Sequence, residues 1–180
     1  MFPQATHNKT DSRIPLFKVV IAGDGNVGKT SLIRKFTKGK FESSRVATIG
    51  VDFQTHTEQL PEGPVRLSIW DMAGQERFQF LRVDFYRGSR AAALVYDVSD
   101  AKSLNNLVSW HIEICKVVPE AKFMIVGNKV DLERAEGSEA VRDFAKLIES
   151  PYLETSALTG QGVADMFHTL AVLATTNSHY

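Results

Sequence analysis

The 180-residue chain is 43% apolar and 23% charged, which is ordinary for one soluble globular domain with a substantial buried core. Its 21 basic and 21 acidic residues give a net charge of zero, and so no indication of nucleic-acid binding or of attraction to an acidic membrane. A single cysteine, Cys115, excludes an internal disulfide framework and a cysteine-based zinc site, which suits a reducing cytosol.

The start of the chain is polar and has no periodic pattern. It lacks the apolar core of a secretion signal, and no apolar run in the sequence approaches the length of a membrane span. We therefore predict a disordered leader over residues 1–14, one folded domain over residues 15–176, and a short C-terminal end over residues 177–180.

The first predicted strand, Leu16–Ala22, leads through a glycine-rich loop into the first predicted helix, Lys29–Lys38. Residues 23–30 fit the pattern G-x-x-x-x-G-K-[ST], and strand–loop–helix is the context that this phosphate-binding pattern requires. Glycines let backbone N–H groups converge on phosphate oxygens, and the helix N-terminus attracts the same anion. Lys29 adds a charge near the β- and γ-phosphates, and the Thr30 hydroxyl can bind Mg²⁺. The alternative is a glycine-rich turn before an ordinary helix. The predicted phosphate contacts are Gly23, Asp24, Gly25, Asn26, Val27, Gly28, Lys29, Thr30 and Ser31.

The rest of the chain alternates between strand and helix patterns. Two period-2 segments flank a Pro/Gly turn at residues 61–64 and predict a β-hairpin. Near-continuous apolar runs further on are typical of strands that are covered on both faces. The predicted strands after the first are 51–60, 65–70, 91–98, 122–128 and 152–155, and the predicted helices after the first are 76–86, 104–118, 137–150 and 162–175.

This alternation predicts an α/β fold with right-handed crossovers and a mostly parallel, six-stranded sheet. The hairpin supplies one antiparallel edge strand, and five helices cover both faces. Ligands of such sheets bind outside the carboxyl ends of the strands, which is where the polar motifs of this chain lie.

Asp71, Gly74 and Gln75 follow the third predicted strand. An aspartate beside a phosphate loop can hold Mg²⁺ through water, and the Gly74 N–H can donate to a γ-phosphate. The Gln75 amide can position an attacking water. An ordinary Asp–Gly turn is the alternative, and the spacing favours the functional interpretation.

Asn128, Lys129 and Asp131 follow the fifth predicted strand. The Asp131 carboxylate can accept hydrogen bonds from the N1–H and the 2-amino group of guanine, both of which adenine lacks, so such a site can discriminate by roughly 10⁴. The Lys129 stem can cover the base, and Asn128 can connect the loops. After the last strand, Ser156, Ala157 and Leu158 form a further segment whose Ala157 N–H can donate to guanine O6. Taken alone, that segment is more typical of a helix-entry turn.

Together these motifs make the sequence similar to the small GTPases of the Ras superfamily, and most similar to their Rab branch. The resemblance is carried by Thr-Ile-Gly-Val-Asp-Phe at 48–53, Trp-Asp-Met-Ala-Gly-Gln-Glu-Arg-Phe at 70–78 and Phe-Tyr-Arg-Gly at 85–88. It extends over residues 16–175 and implies the P-loop GTPase fold.

The resemblance also implies a function. A Rab-like protein is a molecular switch that binds GTP or GDP with Mg²⁺ and hydrolyses GTP to GDP and phosphate. Effector proteins read its state in signalling or vesicle trafficking, and an exchange factor and a GTPase-activating protein control it. Thr48 would bind Mg²⁺ and the γ-phosphate, and Phe41 would stack on guanine. The effector surface would lie near Phe53, Trp70 and Phe85. We expect a cytoplasmic monomer that binds no nucleic acid.

Two features depart from the Rab pattern. Arg45 stands three residues before Thr48, where Rab-like proteins often carry an aromatic residue. The arginine finger of heterotrimeric G-protein α subunits lies at a similar place, so one hypothesis adds Arg45 to Lys29 and Gln75 as a catalytic residue acting in cis. A solvated arginine on a loop is the alternative.

The C-terminal end has no cysteine for prenylation, so this chain offers no membrane anchor, and membrane association is expected only if a prenylated tail was removed. Two other functions remain open: a pseudo-GTPase that binds GTP with little turnover, and a small-molecule kinase. The arginine-rich lid expected of a kinase is missing from the sequence, and the 128–131 motif favours guanine.

Overall fold

The computed structural model describes residues 14–41, 50–75, 79–137 and 139–176. A six-stranded sheet in the order β2-β3-β1-β4-β5-β6 forms the centre of this part of the chain. The strands are β1 (Leu16–Ala22), β2 (Val51–Leu60), β3 (Gly63–Met72), β4 (Ser89–Asp97), β5 (Lys122–Asn128) and β6 (Tyr152–Glu154). The helices are α1 (Lys29–Lys38), α2 (Gln79–Tyr86), α3 (Ala101–Asn105), α4 (Leu107–Cys115), α5 (Ala140–Leu147) and α6 (Val163–Thr175).

Among the described strands, only the β2–β3 pair is antiparallel; β2 lies at the edge of the sheet, where Val51 pairs with Met72 and Leu60 with Gly63. The other pairings are parallel. The predicted α/β class and the mostly parallel sheet with one antiparallel edge strand are confirmed.

Alternate residues of the central strand β1 enter two separate apolar cores. Val19 and Ile21 pack with α1 and α6, while Val20 and Ala22 pack against the other face with α2, α4 and α5. All four are fully buried, as expected of a strand covered on both faces. The sheet is thereby packed between two layers of helices, and it anchors the loops at the carboxyl ends of its strands.

Helix boundaries differ from the prediction where capping decides them. The predicted helix from residue 104 begins at Ala101, because the Asp100 carboxylate accepts a hydrogen bond from the Lys102 backbone N–H. It continues through Asn106 as two adjoining segments, α3 and α4. Counted together, these two segments are one of the five predicted helices. The helix predicted over 137–150 is shorter, since Gly137 and Glu149 adopt positive φ angles of 80° and 50°.

No helix among the described residues combines the length and the apolar character needed to cross a membrane.

Candidate active site

The loop between β1 and α1 requires glycine at two positions. Gly23 has a φ of 143°, and a Cβ there would lie 2.1 Å from the Val95 carbonyl oxygen. Gly28 has a φ of 100°, and its Cβ would lie 2.3 Å from Asn128 Nδ2. The loop backbone therefore packs against the ends of β4 and β5, and α1 begins directly after it with its N–H groups directed at the loop.

Lys29 is buried under this loop, with 6% of its surface exposed. Its Nζ donates to the carbonyl oxygens of Gly23 and Asp24, each at 2.7 Å. Burial lowers the pKa of Lys29 to about 8, and the nearby carboxylates of Asp71 and Asp24 oppose that shift. An anion that binds beside this buried ammonium stabilises its charged form and so raises its pKa again.

Thr30, the residue after Lys29 in α1, contacts Asp71 near the end of β3. The Thr30 hydroxyl donates to Asp71 Oδ2, while Asp71 Oδ1 is buried and has no hydrogen-bond partner among the residues that the structure describes. Burial raises the pKa of Asp71, and the bond from Thr30 and the charge of Lys29 oppose this rise. A hydroxyl beside an unpaired carboxylate oxygen is a donor set that a hard divalent cation prefers. The residues present therefore fit Mg²⁺.

Gly74 and Gln75 follow β3 and contact the phosphate loop. A Cβ on Gly74 would lie 2.3 Å from both Asp24 C and Gly25 N, so only glycine fits between the two backbones. Gln75 Cγ lies 3.7 Å from the position of a Cβ on Gly25. The structure thus places the side chain of Gln75, the predicted water-positioning residue, next to the phosphate loop.

Asn128 connects three segments at the end of the site where the sequence predicts that the base binds. It is 1% exposed, and its Nδ2 donates to the Val27 carbonyl at 2.8 Å. Its Oδ1 accepts from Thr155 Oγ1 at 3.1 Å and from the Ala157 N–H at 3.3 Å. The Ala157 N–H, the predicted donor to guanine O6, therefore lies at this end of the site and bonds within the protein here.

Asp131 is exposed, and the Ser156 hydroxyl donates to its Oδ1. Lys129 has a positive φ of 66°, and its Cε lies 3.9 Å from the position of a Cβ on Gly28. Its Nζ forms an ion pair with Asp97 Oδ2 at 2.6 Å. A carboxylate in a fixed orientation beside the stem of a lysine can bind the edge and the face of one purine base.

Some predicted site residues are not in this cluster. Phe41 is 41% exposed at the end of a described segment, and Leu158 is 53% exposed. Thr48 and Arg45 lie outside the described residues, so their roles stay predictions.

Three residues that contact the side chains of the site were not predicted from the sequence. Asp97 ends the apolar run of β4 as Asp71 and Asn128 end theirs, and that position was the available signal. Burial alone would raise the pKa of Asp97, but hydrogen bonds from Lys129 and Ser99 outweigh it and lower the value. Asn106 and Trp110, which donate to the two oxygens of Asp24 at 2.7 and 2.8 Å, carry no sequence signal of this role.

A group of aromatic side chains covers the outer face of β2 and β3. The rings of Phe53 and Trp70 stack with centroids 5.3 Å apart, and those of Trp70 and Phe85 are 5.7 Å apart. Lys18 Nζ lies 4.0 Å from the Trp70 ring centroid. Because Phe53 remains 59% exposed, these rings present an apolar surface to solvent.

Fold and site together define an α/β protein of the phosphate-loop class, to which GTPases belong. The sequence model of the Ras family matches residues 18–176, and the chain belongs to that family.

The chain is similar to Rab proteins over most of its length. It is 42% identical to the Ras-related protein RABG3a of Arabidopsis thaliana, over 93% of this chain and 86% of the relative. It is 41% identical to the Ras-related protein Rab7 of Glycine max, over 93% and 86% of the two chains. It is also 42% identical to the Ypt/Rab-type GTPase ypt7 of Schizosaccharomyces pombe, over 90% and 83%.

The protein is therefore a Rab-like small GTPase that binds guanine nucleotide and hydrolyses GTP. This confirms the family, fold and activity predicted from the sequence, and the pseudo-GTPase and kinase alternatives are not favoured.

Proposed function

We propose that this GTPase is a Mg²⁺-dependent switch in which Lys29, Thr30, Asp71 and Gln75 carry the hydrolytic site. The observation that supports this most directly is that the buried Asp71 Oδ1, beside the Thr30 hydroxyl, has no hydrogen-bond partner in the described part of the chain. Thr30 directly, and Asp71 through water, would hold the Mg²⁺, which supplies charge neutralisation at the phosphate oxygens.

The residues of the chain divide the remaining work. Loop N–H groups and the Lys29 ammonium stabilise the negative charge that develops on the phosphate, as preorganised donors do without reorganising during the reaction. Gln75 orients the attacking water through its side-chain amide, and the Gly74 N–H donates to the γ-phosphate. Loss of the γ-phosphate removes the contacts to Gly74 and Thr48, and the two segments relax.

Guanine selection is assigned to Asp131, supported by Ser156, with Lys129 along the base and Phe41 on its other face. The aromatic surface of Phe53, Trp70 and Phe85 is the proposed effector surface. Effectors, an exchange factor and a GTPase-activating protein act on Rab proteins in general, and this chain is proposed to share them in kind, as a cytoplasmic monomer. Arg45 as a catalytic residue in cis is kept as a hypothesis within this proposal.

Single-turnover GTP hydrolysis measured over a Mg²⁺ titration tests the hydrolytic site. Thr30→Ala and Asp71→Asn should each raise the Mg²⁺ concentration that gives half-maximal rate by about tenfold or more. Gln75→Leu should lower the rate at saturating Mg²⁺. Thr37→Ala is the matched control, because Thr37 lies on the same helix but donates to the Ile33 carbonyl away from the loop. Wild-type Mg²⁺ dependence in both metal-site variants would refute the proposal.

A further inference from the structure

Arg82 is an arginine buried in helix α2, with 3% of its surface exposed. Its Nε and Nη2 donate to the two carboxylate oxygens of Glu113, both at 3.0 Å. Its Nη1 donates to the Ala73 carbonyl at 3.0 Å and to the Gln75 carbonyl at 2.8 Å. A single guanidinium nitrogen therefore bonds the backbone on both sides of Gly74.

The same guanidinium packs on helix α4. Arg82 Cζ lies 4.2 Å from the centroid of the Trp110 ring, within range of a cation–π contact. The Trp110 Nε1 donates to Asp24 Oδ1 at 2.8 Å. Trp110 thus contacts two elements of the site. It packs on Arg82, which holds the backbone of residues 73 and 75, and it donates a hydrogen bond to the phosphate loop. Both segments are therefore positioned against α4.

An ion pair alone does not need this geometry. Glu113 accepts hydrogen bonds from only two of the guanidinium nitrogens. The third nitrogen donates to the backbone carbonyls on either side of Gly74, the residue that contacts the phosphate loop. Arginine matches this demand because its planar fork presents several donors in fixed directions, while lysine presents a single rotatable ammonium. Since misplacement of a reacting group by about 1 Å can cost about 10²-fold in rate, constraint of this backbone bears directly on hydrolysis.

We infer that Arg82 is a positioning residue for GTP hydrolysis, which fixes the backbone at Ala73 and Gln75 against helix α4 and thereby sets the position of the Gln75 amide. This inference rests on the proposed role of Gln75. Arg82 itself touches neither nucleotide nor water in this account, and acts through the backbone alone.

The test compares Arg82→Met, Gln75→Leu and the double variant in single-turnover GTP hydrolysis, with GDP dissociation and thermal unfolding measured alongside. We expect Arg82→Met to lower the hydrolysis rate about tenfold or more while GDP dissociation changes by less than about threefold. The double variant should be no slower than Gln75→Leu alone, because residues that act through one group are not additive. Independent, multiplying losses would overturn the inference.

Two further variants keep the result interpretable. Arg82→Lys retains the charge beside Glu113 but not the fork, so it should recover thermal stability while recovering hydrolysis only in part. Arg134→Met removes a more exposed arginine ion pair, Arg134 to Glu154 at 2.7 Å, beside the 128–131 loop rather than beside residues 73–75, and should leave the single-turnover hydrolysis rate unchanged. If Arg82→Met does not fold, a wild-type rate in Arg82→Lys overturns the inference.

The outcomes also separate this inference from the proposed function. A normal rate in Gln75→Leu would refute the proposed role of Gln75, and with it the inference about Arg82, while the Mg²⁺ titration tests the metal site separately. A slow Gln75→Leu with a normal Arg82→Met would refute the positioning role only.

Discussion

Asn128 Nδ2 donates to the carbonyl oxygen of Val27 across 2.8 Å, although the two residues are 101 positions apart in the chain. This bond joins the 128–131 loop to the loop between β1 and α1. In the proposed function these two segments bind the base and the phosphates of one nucleotide, so one buried amide sets the distance between the two ends of the site.

Replacement of Asn128 by alanine should weaken both stability and nucleotide retention. The Val27 carbonyl, Thr155 hydroxyl and Ala157 N–H would each lose a partner, and a buried unsatisfied polar group costs about 1–3 kcal/mol. We expect GDP to dissociate about tenfold faster or more, together with a drop in the free energy of unfolding measured by urea titration. Asn105→Ala, an exposed asparagine in α3, is the control and should change stability by less than about 0.5 kcal/mol. GDP release at the wild-type rate would contradict this role.

Asp131→Asn should change the base preference of the protein from guanine to xanthine. In the proposed function the carboxylate accepts hydrogen bonds from guanine N1–H and N2–H₂, whereas an amide NH₂ can donate to the 2-oxo group of xanthine. Affinity for GDP should fall by about 10²-fold or more and affinity for xanthosine diphosphate should rise, as measured by competition with a fluorescent nucleotide. Ser156→Ala, which removes only the hydroxyl that orients Asp131, should weaken GDP binding to a smaller extent without the switch. Equal losses for both nucleotides would argue against a direct contact.

Side chains of increasing size at Gly25 should slow hydrolysis in steps. A Cβ at this position is in ordinary contact with Gln75 Cγ at 3.7 Å, so Gly25→Ala should have a small effect. The two extra methyl groups of Gly25→Val extend beyond that distance and would displace the Gln75 amide, and we expect a loss of about tenfold or more in single-turnover rate. GDP affinity should change little, because Gly25 does not adopt a positive φ. A valine variant with the wild-type rate would contradict the assigned position of Gln75.

Gly74→Ala should be more severe than Gly25→Ala. Its Cβ would lie 2.3 Å from backbone atoms of the phosphate loop, and backbone cannot move aside as a flexible side chain can. The segment carrying Gln75 must shift away, so GTP hydrolysis should fall below that of Gly25→Ala while the protein stays folded by circular dichroism. Similar rates in the two alanine variants would show that the loop adjusts.

Nucleotide binding should take up a proton above pH 8. Burial lowers the pKa of Lys29 to about 8 in the free protein, and phosphate anions beside it must raise that pKa on binding. The bound form then holds more protons than the free form, so affinity should fall as the pH rises above about 8, by up to about tenfold per pH unit. Below pH 8 Lys29 is protonated in both forms and this dependence disappears.

Calorimetry of GDP binding to nucleotide-free protein, in buffers of different ionisation enthalpy, measures the uptake directly. Lys29→Met supplies the control, since it retains any titration of the base but lacks the ammonium. The same proton uptake in Lys29→Met as in the wild type would assign it to another group.

Much of the fold could be predicted because periodic patterns report burial directly. The boundaries of β1, α1, β2 and β5 coincide with their apolar patterns, and the Pro/Gly turn places the hairpin. Helix α5 is shorter than its pattern because the backbone leaves helical geometry at Gly137 and Glu149, and amphipathic spacing does not report that. The division into α3 and α4 at Asn106 was likewise not predicted, because the apolar spacing of the sequence continues across it.

The sequence by itself determined the phosphate loop, the Asp71–Gln75 segment and the 128–131 motif. Each of these needs residues that are neighbours along the chain, so spacing alone identifies them. Only the tertiary structure decided how they are joined: Asn128 to Val27, Lys129 to Asp97, and Trp110 to both Asp24 and Arg82. Those contacts connect distant segments at the ends of parallel strands, and no local pattern encodes which of the side chains there will meet.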